Sequence, residues 1–167
     1  MFNREQYINN KLQEHYDEAI SLGHEIFCVV LQGSQNYNLD IYSEKYKSDV
    51  DTKAIILPSF DDFCKGKPPV STTFVRKNNE HIDLKDIRVM FETFKKQNIN
   101  FVEVLFSRYY IVPPKYKSYW KRLQNLGEAI THCHPSQTLK TMAGLSYEKH
   151  KALCHPYPSI IDKIEKY

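Results

Sequence analysis

The rhythm of apolar and polar positions changes several times along the chain, and each change marks an element. Over residues 3–22, Ile8, Leu12, Ala19 and Ile20 are separated by polar residues, which predicts an amphipathic helix. Gly23 follows as its C′ stop. Residues 25–32 (EIFCVVLQ) are almost continuously apolar and rich in β-branched and aromatic types. That pattern predicts a strand buried on both faces, ended by Gly33. Residues 38–48 are polar and read as a loop. Residues 49–57 (DVDTKAIIL) predict a second strand. Its alternation sends Asp49, Asp51 and Lys53 to one face and Val50, Thr52 and Ala54 to the other, and Pro58 ends it.

Beyond Pro58 a loop with Lys65 and Lys67 precedes predicted strands at 71–76 and 80–84. Residues 85–97 predict a helix, because Ile87, Met90, Phe91 and Phe94 fall at i, i+3, i+4 and i+7. Residues 100–106 (NFVEVLF) predict a short helix capped by Asn100. Pro113-Pro114 opens a predicted helix at 115–130 that buries Tyr116, Trp120, Leu123 and Ile130. Ser136 starts another at 137–153, and Ser159 caps a last one that runs to the end of the chain. The expectation is an α/β (α+β) fold: a mixed sheet flanked by helices over residues 1–112, with a helical appendage at 113–167.

Composition narrows the class only a little. The 167 residues fit one domain with such an appendage, and 12 Tyr and 9 Phe supply enough bulk for a core. The net charge of +3 tolerates a nucleic-acid partner without demanding one. The four cysteines (Cys28, Cys64, Cys133, Cys154) lie far apart with no Cys-x-x-Cys spacing, and Cys28 reads as a core residue. With no signal peptide, the expectation is reduced thiols in a cytoplasm. No apolar run approaches bilayer-spanning length, so no membrane partner is expected.

The stretch "LQGSQNYNLD … SDVDTKAIIL" carries the candidate chemistry. Two carboxylates at i and i+2 of a strand point the same way, with Cα atoms roughly 6.5–7 Å apart. Such a pair either forms a solvated strand face or shares a cation. Hard divalent cations take oxygen ligands, and Mg²⁺ adds substrate phosphates to them. Paired metals are a common device for attack at phosphorus. Gly33 lets the backbone approach an anion, and Ser34 adds a hydroxyl at the start of a predicted helix from Gln35 to Tyr37, so a terminal phosphate is expected there. A third carboxylate is expected on a neighbouring strand, and Asp83 in "HIDL" is the candidate, to bind the catalytic metal and orient the incoming hydroxyl. The alternative reading of Asp83 is a helix N-cap.

Taken in order, these residues resemble the polymerase-β-type nucleotidyltransferase superfamily, and more narrowly a branch associated with RNA ligases. The matching elements are Gly33, Ser34, Tyr37 and Leu39; Ser48, Asp49 and Asp51; Asp83; and "NFVEVLF". The resemblance spans roughly residues 25–110. It implies that Gly33 and Ser34 hold the triphosphate of an NTP. It also implies that Asp49, Asp51 and Asp83 bind Mg²⁺ or Mn²⁺ and carry catalysis. The implied reaction transfers an NMP to a hydroxyl, most simply an RNA end, and releases pyrophosphate. A protein hydroxyl is the alternative acceptor, and an inactive nucleotide- or RNA-binding module is the alternative class. Three departures stand out. Asn38 replaces the usual Gly, and Asn also tolerates positive φ. The spacer before Asp49 is longer by about four residues. Relatives commonly continue past the equivalent of "IIDKIEKY", so a truncated form is one expectation.

Other residues carry weaker signals. "THCHP" with Cys154 and His155 invites a zinc reading, but the spacing matches no standard site. His81 shares a predicted strand face with Asp83. Lys53, Arg76, Lys85 and Arg88 are candidates for phosphate contacts, and Tyr37 and Tyr42 for stacking. Tyr109, Tyr110, Tyr116, Tyr119 and Trp120 read as core and interface.

Overall fold

The computed structural model describes residues 2–43 and 47–154. Helix α1 (Arg4–Ser21) starts at Asn3, whose side chain accepts from the Gln6 N–H. It buries Ile8, Leu12, His15 and Ala19. Ile20, expected on that face, is 46% exposed. One residue past Ala19 it is turned a further 100° or so around the helix. Gly23 sits at C′ with φ 83° and ends the helix as expected.

The strands are β1 (Glu25–Gln32), β2 (Asp51–Leu57), β3 (Ser71–Val75), β4 (His81–Asp86) and β5 (Tyr110–Ile111). They form one mixed sheet in the order β3-β4-β2-β1-β5. β1 is antiparallel to β2 and β5, β2 is parallel to β4, and β4 is antiparallel to β3. The register aligns Tyr110, Val30, Lys53 and Asp83 in one row across four strands. Two rows on, Gln32 stands beside Asp51.

Seven helices flank this sheet among the described residues: α1, α2 (Phe60–Cys64), α3 (Ile87–Lys95), α4 (Ile99–Val102), α5 (Lys117–Asn125), α6 (Gly127–His132) and α7 (Pro135–Cys154). The α1 side of the sheet packs Ile8, Leu12, Val29, Leu31, Val50, Ala54 and Ile82. The other side packs Val30, Ile55, Met90, Phe101 and Trp120. β1 contributes to both clusters, which is why it reads as continuously apolar. Full burial of such side chains contributes about 1.5–3 kcal/mol each. Trp120, beyond the Pro113-Pro114 pair, meets Phe27 of β1 edge-on at 6.2 Å, so the helical segment shares the sheet's core.

Several local expectations are corrected. β2 begins at Asp51, so Asp49 lies just before the strand. α2 stands where a loop was expected; Ser59 caps it, and Asp61 and Asp62 occupy its first turn. β4 runs to Asp86, and Asp86 rather than Asp83 caps α3, accepting from the Arg88 N–H at 2.9 Å. Phe91, expected on the buried face of α3, is 48% exposed. α4 is capped by Asn98, not Asn100, and residues Glu103–Phe106 tighten into a 3-10 turn. The helix expected over 115–130 breaks between α5 and α6. There a Cβ on Gly127 would meet the Phe106 ring at 3.1 Å, so glycine permits the close approach. The helix expected from Ser159 lies outside the described residues. No described helix is long and apolar enough to cross a membrane.

Candidate active site

β1 ends at Gly33, whose φ of 77° and ψ of −157° belong to a region that side-chain-bearing residues avoid. The chain then makes one 3-10 turn, Ser34–Tyr37, closed by Asn38 in the left-handed region at φ 57°. Asn38 thus adopts the positive φ that its residue type tolerates. A single 3-10 turn has too few aligned peptides for a helix dipole. Any phosphate held here would rely on the Gly33–Ser34 backbone and the exposed Ser34 hydroxyl.

Gln35 pins this turn to the acidic segment, and Tyr42 and Arg4 hold Gln35 in place. Gln35 is 1% exposed, and its Nε2 donates to the Ser48 carbonyl at 3.1 Å and the Asp49 carbonyl at 3.4 Å. Its Oε1 accepts from the Tyr42 hydroxyl at 2.7 Å. Arg4 of α1 grips Asp40 through two bonds, of 2.6 and 2.7 Å, and donates to the Gln35 carbonyl at 2.7 Å. The Arg4 hydrogen bond holds the Asp40 carboxyl below its usual range. Sequence reasoning missed the roles of Gln35, Arg4 and Asp40, because Arg4 lies 31 and 36 residues from the groups it binds.

Asp51 stands at the mouth of the sheet. Its Oδ1 accepts from the His81 N–H at 2.9 Å, and His81 Nδ1 lies 3.2 Å away. Its Oδ2 faces Gly33, where a Cβ would come within 3.9 Å of it. Gly33, Asp51 and His81 therefore converge from three adjacent strands. Asp49 is exposed beside them and makes no ion pair among the described residues.

Asp83 is engaged elsewhere. Its Oδ2 accepts from Lys53 Nζ at 2.7 Å, and its Oδ1 accepts from Thr73 at 3.0 Å and lies 2.9 Å from Lys85 Nζ. The register explains this, because Asp83 pairs with Lys53, two residues deeper along β2 than Asp51. Lys53 is 2% exposed and also lies over the Phe101 ring at 4.3 Å. Burial pushes the Asp83 carboxyl up, but Lys53 and Lys85 outweigh it and hold it below its usual range.

The donor chemistry can be tested against a divalent cation. Asp49 and Asp51 offer the hard carboxylate oxygens that Mg²⁺ or Mn²⁺ takes, and Asp49 is exposed while Asp51 uses its Oδ1 on His81. Asp83 does not fit that role, because ammonium and hydroxyl donors occupy both its oxygens. Among the described residues no three of His, Cys, Asp and Glu form a group able to hold a metal. The zinc candidates Cys133 and His132 instead bond to carbonyls of their own helix, and His155 lies outside the described residues.

The remaining candidates resolve as follows. Arg76 pairs with Glu14, Glu18 and Glu80, and Arg88 with Asp86, so both serve the framework. Tyr42 packs against Phe2 and Tyr7 at ring distances of 4.5 and 5.8 Å. Tyr37 is 52% exposed, and its hydroxyl donates to Glu103 Oε2. Burial pushes the Glu103 carboxyl above its usual range, despite the opposing pull of Tyr37 and Lys53. The chain matches no family model, no curated protein and no solved structure.

Proposed function

We propose that this protein is a divalent-cation-dependent nucleotidyltransferase that moves an NMP from an NTP to a hydroxyl acceptor. The observation that carries the reading is the convergence of the strained Gly33 turn on the Asp51 carboxylate, with the Asp49 backbone carbonyl tied to the same turn through Gln35. A polyanion and its counter-ion need that juxtaposition: a backbone that admits phosphate oxygens, and carboxylates close enough to share a cation with them.

The roles follow from position. Gly33 and Ser34 hold the terminal phosphates. Asp49 and Asp51 hold the cation, which when bound lowers the cost of charge at the reacting phosphate. His81 fixes the rotamer of Asp51 through its N–H. Lys53 and Asp83 pair beneath Asp51, deeper in the sheet. In the reaction the acceptor oxygen bonds to the α-phosphorus, the bridging α–β P–O bond breaks, pyrophosphate leaves, and the hydroxyl proton passes to solvent. The resemblance favours an RNA end as acceptor, with a protein hydroxyl as the alternative.

One observation favours a second reading, a nucleotide-binding module without chemistry: Asp83, the expected third carboxylate, is neutralised by two lysines. Calorimetric titration of each NTP with and without Mg²⁺, alongside a pyrophosphate-release assay, separates the two. The transferase reading expects Mg²⁺-dependent binding and release, both lost in Asp49→Asn/Asp51→Asn with the fold intact. Binding without release supports the module. Absence of binding under every condition rejects both.

A further inference from the structure

Beside the Gly33 turn, a cavity of about 250 Å³ lies between the 3-10 turn and α4, walled by Tyr37, Ile99, Val102 and Glu103. We infer that this cavity is a nucleobase subsite and that Glu103 selects a base with adjacent N–H donors, guanine above all. The inference deepens the proposed function and rests on it for the origin of the base.

The walls have the composition a flat heterocycle requires. Ile99 and Val102 give apolar contact, and Tyr37 gives an exposed aromatic face on which a base can stack. The polar groups nearby are spent, with one exception. The Gln97 amide donates to the Phe94 and Ile130 carbonyls, each at 2.8 Å, and its oxygen accepts from Thr138 at 3.1 Å. Glu103 Oε2 takes the Tyr37 hydroxyl, while Oε1 accepts from no described residue. A half-buried carboxylate with an open oxygen seeks an N–H partner.

The bases differ in what they offer it. Guanine presents N1–H and the N2 amine side by side, matching both oxygens of a carboxylate. Adenine and cytosine set a ring-nitrogen acceptor beside their amine, and that lone pair repels the second oxygen. Uracil flanks its single N–H with two carbonyls. Tyr37 lies three residues past Ser34, so the base that fills the cavity belongs either to the bound NTP or to the end of an acceptor strand placed next to it. The recognition chemistry is the same for both.

Nucleosides, which carry no phosphate, probe the cavity independently of the cation site. The experiment is a calorimetric or NMR titration of guanosine, inosine, adenosine, cytidine and uridine into the full chain. Wild type is expected to bind guanosine at least about tenfold more tightly than the others, with inosine weakened by loss of the second donor. Glu103→Gln should abolish that preference. Val102→Trp, which fills the cavity, should abolish nucleoside binding, with circular dichroism and urea midpoints confirming that both variants fold. Equal binding of all five nucleosides, no binding of any, or a guanosine preference that survives Glu103→Gln overturns the inference. Displacement of guanosine by Mg²⁺-GTP assigns the cavity to the NTP's own base, and guanosine binding alongside Mg²⁺-ATP assigns it to the acceptor. A guanosine preference together with absent pyrophosphate release leaves the subsite standing and rejects the transferase alone.

Discussion

Asp83→Asn removes the counter-ion of an ammonium that has almost no access to water. Lys53 is 2% exposed and Asp83 15% exposed, and their 2.7 Å contact lies in the middle of the sheet. Breaking a buried ion pair by removing one partner costs about 3–5 kcal/mol, because the other charge stays desolvated. Two features reduce the figure here. The Asn oxygen still accepts a hydrogen bond, and the Phe101 face, 4.3 Å from Nζ, retains its attraction for the cation. We therefore expect a loss of about 2–3 kcal/mol, which in a domain of this size lowers Tm by roughly 5–10 °C. Urea unfolding at neutral pH measures it. Adding Lys53→Met to Asp83→Asn should recover most of the loss, since the stranded charge is then gone. The pH dependence has a definite sign. The folded-state pKa of Asp83 lies below its usual value of 3.8, so its contribution is full above that value. It is lost as pH falls through the folded-state pKa, and the variant should lack that part of the acid limb. With both Asp83 oxygens engaged by Lys53, Lys85 and Thr73, Mg²⁺ affinity is expected to be unchanged in the variant. A stability within about 0.5 kcal/mol of wild type, or a Mg²⁺ affinity lowered tenfold, would refute the assignment of Asp83 as a structural counter-ion.

Gly33→Ala should destabilise by about 1–3 kcal/mol and abolish NTP binding; the cost is conformational, because a Cβ would meet only Asp51 Oδ2 at 3.9 Å. Calorimetry and urea unfolding read the two effects. Gln35→Leu leaves the Ser48 and Asp49 carbonyls without their donor, so a loss of about 1–3 kcal/mol is expected, with faster proteolysis of the following loop. His15 is fully buried against Thr52 and Glu80, with Arg76 and Lys11 nearby, and burial holds its pKa below 6.5 despite the pull of Glu80. Its contribution is complete above pH 6.5 and falls as pH drops from there toward the folded-state pKa. In His15→Gln that limb of a stability–pH profile should flatten.

The parts of the fold visible in sequence were those where one physical demand dominates. The strand at 25–32 is legible because both of its faces are covered, and the Gly23 stop because one residue must adopt positive φ. The partners of Asp83 are not legible in sequence, because two-residue alternation fixes the face of a strand but not its register. Only pairing places His81 beside Asp51 and sends Asp83 to Lys53. The roles of Gln35 and His15 were invisible for a related reason: their partners lie 7 to 65 residues away. The cap of α2 was readable, since Ser59 followed by two aspartates is an N-terminal signature, but the prolines around it favoured a loop. β5, two residues long, is too short to carry any pattern.

The place of β4 between β3 and β2 has a consequence for how the site comes into being. β3 touches the sheet only through β4, so the two strands form a hairpin that docks against β2 as one piece. Until it docks, Asp51 lacks His81 and Lys53 lacks Asp83. Assembly of the site is then expected late in folding, because it waits on a parallel pairing that local contacts do not nucleate. Hydrogen exchange would report it: the amides of 71–86 should open together, at lower free energy than those of β1, and take the site with them each time.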